Sequence, residues 1–380
     1  MAFSLTAEQR AIRDAVRDFG EQEIRPVAHE YDEEHRYPAE IIEKAGEYDL
    51  VGPSIPVEYG GPGMGVLESA IVTEELWRAD PGIGCAIGNT AFSTNVYVLS
   101  TYGDEALCEE WFPKLAAGEV ADAIAVSEAG HGSNVAGIET TAEKDGDEWV
   151  LNGSKMWISN GNVAEVAIVF AKTDPDAGHR GISAFLVPAD TEGYSSEPID
   201  NKLGIHAADL GEIVLEDARV PADHLIGEEN QGFYYFMESL PKGRITVASQ
   251  AVGTAQAALE AAIDYATERE QFDQPIGEFQ AIQHMIADMA TDIEAARSLV
   301  YRAAEAVEED RENAGQLASQ AKLFASEMAT DVCDDAIQVH GGAGFVSDFP
   351  VERYYRDVRV TKIYEGTSEI QKNIIAKELL

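Results

Sequence analysis

The stretch "KIYEGTSEIQ" at residues 362–371 places one carboxylate, Glu365, between a tyrosine and a Gly-Thr-Ser turn. A carboxylate works as a base when water is kept from it and it is held against the proton it must take. Gly366 would let the chain turn tightly at that point. The plain alternative is that Glu365 is one acid among 69, and the rest of the chain has to decide.

Four other stretches carry chemistry only in company. "AVSEAGHGSN" (125–134) runs from an apolar strand into glycines, with hydroxyls at Ser127 and Ser133. Its main chain can approach a flat ring or a phosphate closely, or it is simply a glycine turn. "NGSKMWISNG" (152–161) reads as a strand with Trp157 near its centre, walling a flavin or filling a core. "EREQFDQPIGEFQ" (268–280) sets Arg269, Phe272 and Gln280 at a helix junction, where an arginine suits a pyrophosphate or a surface salt bridge. "QVHGGAGF" (338–345) breaks a helix at Gly341 and Gly342, baring main chain or merely stopping the helix. Residues 351–380 hold six Lys/Arg against five acids in a chain of net charge −42, a concentration beside Glu365 that suits an anionic ligand.

Lys+Arg 27 against Asp+Glu 69 excludes nucleic acid and anionic membranes as partners, since both demand basic footprints. The same excess reads as the solvated surface of a protein from a salt-rich cytoplasm. Cys85, Cys108 and Cys333 are widely spaced and without a CxxC pair, which argues for reduced, buried thiols and against a metal site or a disulfide framework. "PGIGCAIG" (81–88) has the wrong spacing for a dinucleotide fingerprint and is read as lying between helices; "GGAGF" lacks the Lys-Ser/Thr of a P-loop. The start "MAFSLTAEQR" lacks the basic-then-apolar layout of a signal peptide.

The positioning elements divide into three. Residues 1–122 read as an all-α domain, opened by a capping box of Thr6 and Gln9. Residues 123–235 carry short β-rich runs bounded by Asn-Gly, Asp-Gly and Pro, which predict a central antiparallel β-barrel. Residues 236–380 return to the 3.6-residue period, with a stripe through Phe279, Ile282, Ile286, Met289, Ile293 and Val300. The long helix carrying that stripe, with others starting near 241, 313 and 350, predicts a C-terminal four-helix bundle. The fold class is thus α+β and multidomain, and the order disfavours an alternating dinucleotide-binding fold.

In this order the motifs resemble the acyl-CoA dehydrogenase family over essentially the whole chain. The resemblance implies non-covalent FAD, a homotetramer built as a dimer of dimers, an acyl-CoA substrate, and electrons passed to electron-transferring flavoprotein. It implies that Ile124, Ser127, Gly132 and Ser133 line the flavin and that Trp157, Ile158 and Ser159 cover its other side. Arg269, Phe272, Gln280, Gln338, Gly341 and Gly342 would grip the FAD of a neighbouring subunit, and Thr367 and Glu369 would close the FAD site. Ser133, Lys242, Gly243, Arg244, Gly366 and Lys377 fall on the substrate side. Glu365 matches the catalytic base, which takes an α-proton while a hydride leaves the β-carbon; Gly243 stands where some members carry that base instead. The chain departs from the usual "TEPGAGSD" at Ala129, His131 and Asn134, and carries Pro241 where many members have an acid. An oxidase using O₂ and a non-catalytic acyl-CoA-binding or assembly subunit are the alternatives on the same fold.

Overall fold

The computed structural model describes residues 5–380. The first four residues of the stretch read for a signal peptide lie outside them.

The N-terminal region is helical: α1 (Ala7–Phe19), α2 (Ala28–Glu34), α3 (Ala39–Glu47), α4 (Val66–Ala79), α5 (Pro81–Thr90), α6 (Ser93–Tyr102) and α7 (Glu105–Ala116). The capping box forms: the Thr6 hydroxyl accepts from the Gln9 N–H at 3.2 Å, and the Thr6 N–H donates to the Gln9 side chain at 2.9 Å. "PGIGCAIG", expected to lie between helices, is itself helix α5. Asp80 caps it by accepting from the Ile83 N–H at 3.0 Å, and Pro81 sits in its first turn. Gly84 serves packing, since a Cβ on it would come within 2.8 Å of the Leu76 carbonyl on α4.

The middle region contains β1 (Asp122–Ala125), β2 (Thr141–Asp145), β3 (Glu148–Ser159), β4 (Val166–Lys172), β5 (Ile182–Pro188), β6 (Tyr194–Pro198), β7 (Leu210–Pro221) and β8 (Leu225–Ile226). The strands run in the order β6-β7-β3-β2-β4-β5-β8, with β1 alongside β4. The barrel expectation is corrected here: β6 and β8 end the order without pairing to each other, so the sheet is open. It is also mixed, because β1 and β2 pair parallel to β4. Alternating hydrophobic runs report a half-buried strand but carry no information on closure.

Helix α8 (Gly232–Glu268) opens the C-terminal region with Pro241 inside it, rather than starting near that proline. After the short hairpin β9 (Glu270–Gln271) and β10 (Gln274–Pro275) come α9 (Gln280–Glu308), α10 (Ala314–His340), α11 (Val351–Val358) and α12 (Ser368–Leu379). Three helices are long; the fourth arm, expected as one long helix from 350, is broken into α11 and α12. The break includes Glu365 and Gly366, whose φ of 51° and 91° a right-handed helix cannot contain. A buried cluster of alanine, valine and leucine side chains on α8, α9 and α10 holds these helices together. Cys85, Cys108 and Cys333 are free and buried.

Candidate active site

Glu365 sits on the turn between α11 and α12 in the left-handed region, a conformation that costs a non-glycine residue about 1–2 kcal/mol. Three neighbours hold it there. The Gln371 side-chain amide donates to the carbonyls of Glu365 (3.0 Å) and Gly366 (2.9 Å). Lys322 of α10 donates to the Gly366 carbonyl at 2.6 Å. The Tyr364 hydroxyl donates to Gln250 of α8 at 2.5 Å. Thr367 caps α12, accepting from the Ile370 N–H at 3.4 Å. The turn is therefore fixed by two long helices and by the start of a third.

The carboxyl group itself is left free. Glu365 keeps partial exposure as a residue, but its Oε2 is shut off from solvent and has no hydrogen-bond partner. Burial pushes its pKa up to about 7, against the opposing pull of Arg244 and Lys322. Among the described residues neither cation forms an ion pair with it. Burial also draws the Lys322 ammonium down to about 8, with Glu365 working against that shift. A carboxylate that is desolvated, poised near neutral pH and unbonded is a competent proton acceptor. The Glu365 N–H also makes no hydrogen bond within the described residues, so one donor beside the base remains available.

Gly243 of α8 faces the carboxyl group: a Cβ on it would lie 2.6 Å from Glu365 Oε2 and 2.7 Å from the Thr94 hydroxyl oxygen. Arg244, next along, is buried, donates to Ser319 at 3.3 Å and keeps its Nε unpartnered. Lys242 lies over the Tyr97 ring, 4.0 Å from its centroid.

The β-sheet edge is tied to this site by a buried relay. Asn95 of α6 donates to the Asp122 carboxyl at 2.6 Å, and Asn160 donates to the Asp122 carbonyl (3.1 Å) and the Asn89 carbonyl (2.8 Å). Burial pushes the Asp122 carboxyl well above the usual carboxylate range, against the hydrogen bond from Asn95. The relay fixes the end of β3, where Trp157 and Asn160 adopt φ of 60° and 59° and the β3–β7 register shifts between Lys155 and Ile158. That irregularity turns Trp157 outward to 53% exposure, so it does not belong to the core. Ile158 points the other way and is buried, leaving only its main chain for a ligand. The loop 126–134 is anchored beneath by Lys155, which donates to the Val126 carbonyl at 3.1 Å and pairs with Glu128 at 2.8 Å. Ile124 lies on β1 at the base of this loop, and Gly132 and Ser133 stand exposed on it. The Ser127, Ser133 and Ser159 hydroxyls make no hydrogen bonds within the described residues.

These features fit FAD. A bare indole face, unused hydroxyls and an open glycine loop offer a flat ring a stacking wall and polar contacts without displacing any internal bond. A cleft in this region, lined by Glu128, His131, Glu139 and Glu216 among others, contains none of Glu365, Gly243 or Arg244. The unpartnered buried atoms around residue 365 mark the chemistry better than that cleft does.

The second group of sequence-assigned residues lies elsewhere. Arg269, Phe272, Gln280, Gln338, Gly341 and Gly342 are all exposed, Phe272 by 87%. They gather at one end of the bundle, where Tyr265 near the end of α8 stacks on His340 at the end of α10, centroids 4.3 Å apart. Glu369 is exposed in the first turn of α12 and Lys377 is exposed in its last turn, and no contact joins Lys377 or Ser133 to Glu365. Three of the six basic residues of 351–380 are taken up in ion pairs. Arg353 pairs with Asp80 at 3.0 Å, Arg356 with Asp32 and Glu352 at 2.7 Å each, and Lys362 with Glu327.

Sequence reasoning missed Thr94, Lys322 and Gln371. Lys322 carried a signal: it is a lone cation on the apolar face shared by Ala318, Ala321 and Ala325 of α10. Gln371 closes the very stretch that named Glu365. Thr94 carried none, since its role depends on a tertiary approach.

Comparison with known proteins places these observations. Residues 6–119, 123–218 and 230–380 match the family profiles described as the acyl-CoA dehydrogenase N-terminal, middle and C-terminal domains. The short-chain specific acyl-CoA dehydrogenase of Bos taurus mitochondria is 42% identical over 380 residues, covering 99% of this chain and 91% of that protein. The structure of butyryl-CoA dehydrogenase from Megasphaera elsdenii superposes with a TM-score of 0.95 at 38% identity, covering 100% of both chains. A chain from structural work on the electron transferring flavoprotein of Acidaminococcus fermentans superposes at 0.96 with 40% identity, again over 100% of both chains.

Proposed function

Because this chain belongs to the acyl-CoA dehydrogenase family, we propose that its FAD-dependent α,β-dehydrogenation of an acyl-CoA thioester runs on Glu365 as the base. The observation that carries the assignment is the buried, unpartnered Oε2 of Glu365, poised near neutral pH. Glu365 takes the α-proton of the acyl group, and its displacement from water makes the carboxylate basic enough to do so. The unused N–H of the same residue serves the thioester oxygen, where negative charge gathers as the proton leaves. Arg244 and Lys322 favour that charge from a distance without neutralising the base. FAD, when bound, supplies the acceptor for the hydride leaving the β-carbon. Trp157, Ser127 and Ser159 hold and orient the ring system, and the Asp122 relay keeps them in register with the base.

The exposed group at the bundle end, Arg269, Phe272, Gln280, Gln338, Gly341 and Gly342, serves the FAD of a neighbouring subunit in a homotetramer. Electrons pass to electron-transferring flavoprotein, a reading supported by the Acidaminococcus relative. The names of the bovine and Megasphaera relatives support a short acyl chain. No helix among the described residues is long and apolar enough to cross a membrane, and the acidic surface suits a salt-rich cytoplasm. Anaerobic titration with butyryl-CoA in high KCl tests the reading. The visible flavin band should bleach with formation of the trans-2-enoyl product; absence of bleaching with acyl-CoAs of any chain length would overturn it.

A further inference from the structure

The Thr94 hydroxyl is anomalous. The residue is 0% exposed, yet its Oγ1 has no hydrogen-bond partner. Buried helical hydroxyls elsewhere in this chain bond back to the preceding turn: Thr90 to the Ala86 carbonyl (3.0 Å), Ser249 to Ile245 (3.0 Å) and Thr254 to Gln250 (2.9 Å). Thr94 is the second residue of α6, so no helical turn precedes it. A buried hydroxyl without a partner is destabilising, and a helix start offers no compensation in itself. A second buried oxygen in the same notch is also unpartnered. Glu365 Oε2 and Thr94 Oγ1 lie within 2.6 and 2.7 Å of the single point where a Gly243 Cβ would stand. Glycine at 243 is what leaves that space open.

We propose that Thr94 is a positioning residue for Glu365, its hydroxyl donating a hydrogen bond to the ionised carboxylate across the notch left by Gly243. The inference rests on Glu365 being the base. A hydroxyl donates more strongly to an ionised carboxylate than to a neutral carboxyl group, so the bond favours the active form and aims Oε2 along the notch. The charged groups facing the carboxylate are Arg244 on α8 and Lys322 on α10, and neither occupies the notch. The Ser93 hydroxyl, beside Thr94, is already committed to Thr246 at 2.9 Å, which pins the start of α6 to α8 one turn from Gly243. Thr94 is thereby held in place with its hydroxyl uncommitted.

The test is the pH profile of anaerobic flavin reduction by butyryl-CoA in Thr94→Val, which keeps the shape and removes the donor. Its midpoint should move up by about one unit, and Thr94→Ser should restore the native midpoint. An unmoved midpoint in Thr94→Val overturns the inference, and so does an equal shift in Thr94→Ser, which would mark a packing effect. If Thr94→Val fails to retain flavin, Thr94→Ala is read against Thr94→Ser by the same criterion. Glu365→Gln run alongside separates the two levels. If it still reduces flavin, the base assignment has failed; if it does not and the Thr94→Val midpoint is native, only the role of Thr94 has.

Discussion

The Glu365 carboxyl group occupies space that a side chain on Gly243 would claim, with Oε2 only 2.6 Å from where the first carbon would be. Two positions on different segments thus converge on one spot, and only one of them can carry the base. Gly243→Ala should displace the carboxylate and lower the rate of flavin reduction roughly 100-fold, the usual consequence of an ångström-scale misplacement. Flavin content should be unchanged. Stopped-flow mixing with butyryl-CoA measures it, and a native rate would mean that the carboxylate has another way to reach the substrate.

The raised pKa of Glu365 has a consequence for stability as well as for rate. The folded chain favours the protonated form, so the stabilisation is complete below the ordinary value of 4.5 and is lost as pH rises through about 7. Glu365→Gln removes that loss. It should raise the melting temperature relative to the native chain at about pH 8 and leave it nearly unchanged at about pH 4, below the ordinary carboxyl value. An identical difference at both values would show that Glu365 does not titrate in this range.

Beneath the loop 126–134, Glu128 accepts from Lys155 (2.8 Å), from the Thr140 N–H (2.9 Å) and from the Thr140 hydroxyl (2.6 Å). Burial opposes ionisation of Glu128, but Lys155 and Thr140 outweigh it and hold the carboxyl at about 2. Lys155→Met strands that charge and should cost about 3–5 kcal/mol in urea unfolding. Adding Glu128→Gln should recover most of the loss. A double variant as weak as the single one would assign the effect to packing.

A net charge of −42 repels itself, and salt screens that repulsion. The melting temperature should fall when KCl is lowered from about 2 M to about 0.1 M. A melting temperature that ignores KCl would contradict the reading of the acidic surface as a salt adaptation.

What the sequence disclosed followed the range of each signal. The Thr6 capping box and the stripe ending at Met289, Ile293 and Val300 are local and appear as expected. Sheet closure is not local: the same alternation serves a barrel or an open sheet, and the sheet is open. The helix expected from 350 gives way after Val358 to a 3-10 turn, and the left-handed angles of Glu365 and Gly366 keep the helix from resuming before α12. Arg353 and Arg356, read as charge for a ligand, are taken up by Asp80, Asp32 and Glu352, partners remote in sequence. Thr94 became visible only when α6 and α8 were brought together around Gly243.

Proton removal by Glu365 is the central step, and its most direct measurement is anaerobic mixing of Glu365→Gln with butyryl-CoA. The variant should purify yellow and bind the substrate, yet its flavin band should persist where that of the native chain bleaches. Bleaching at the native rate would contradict the account.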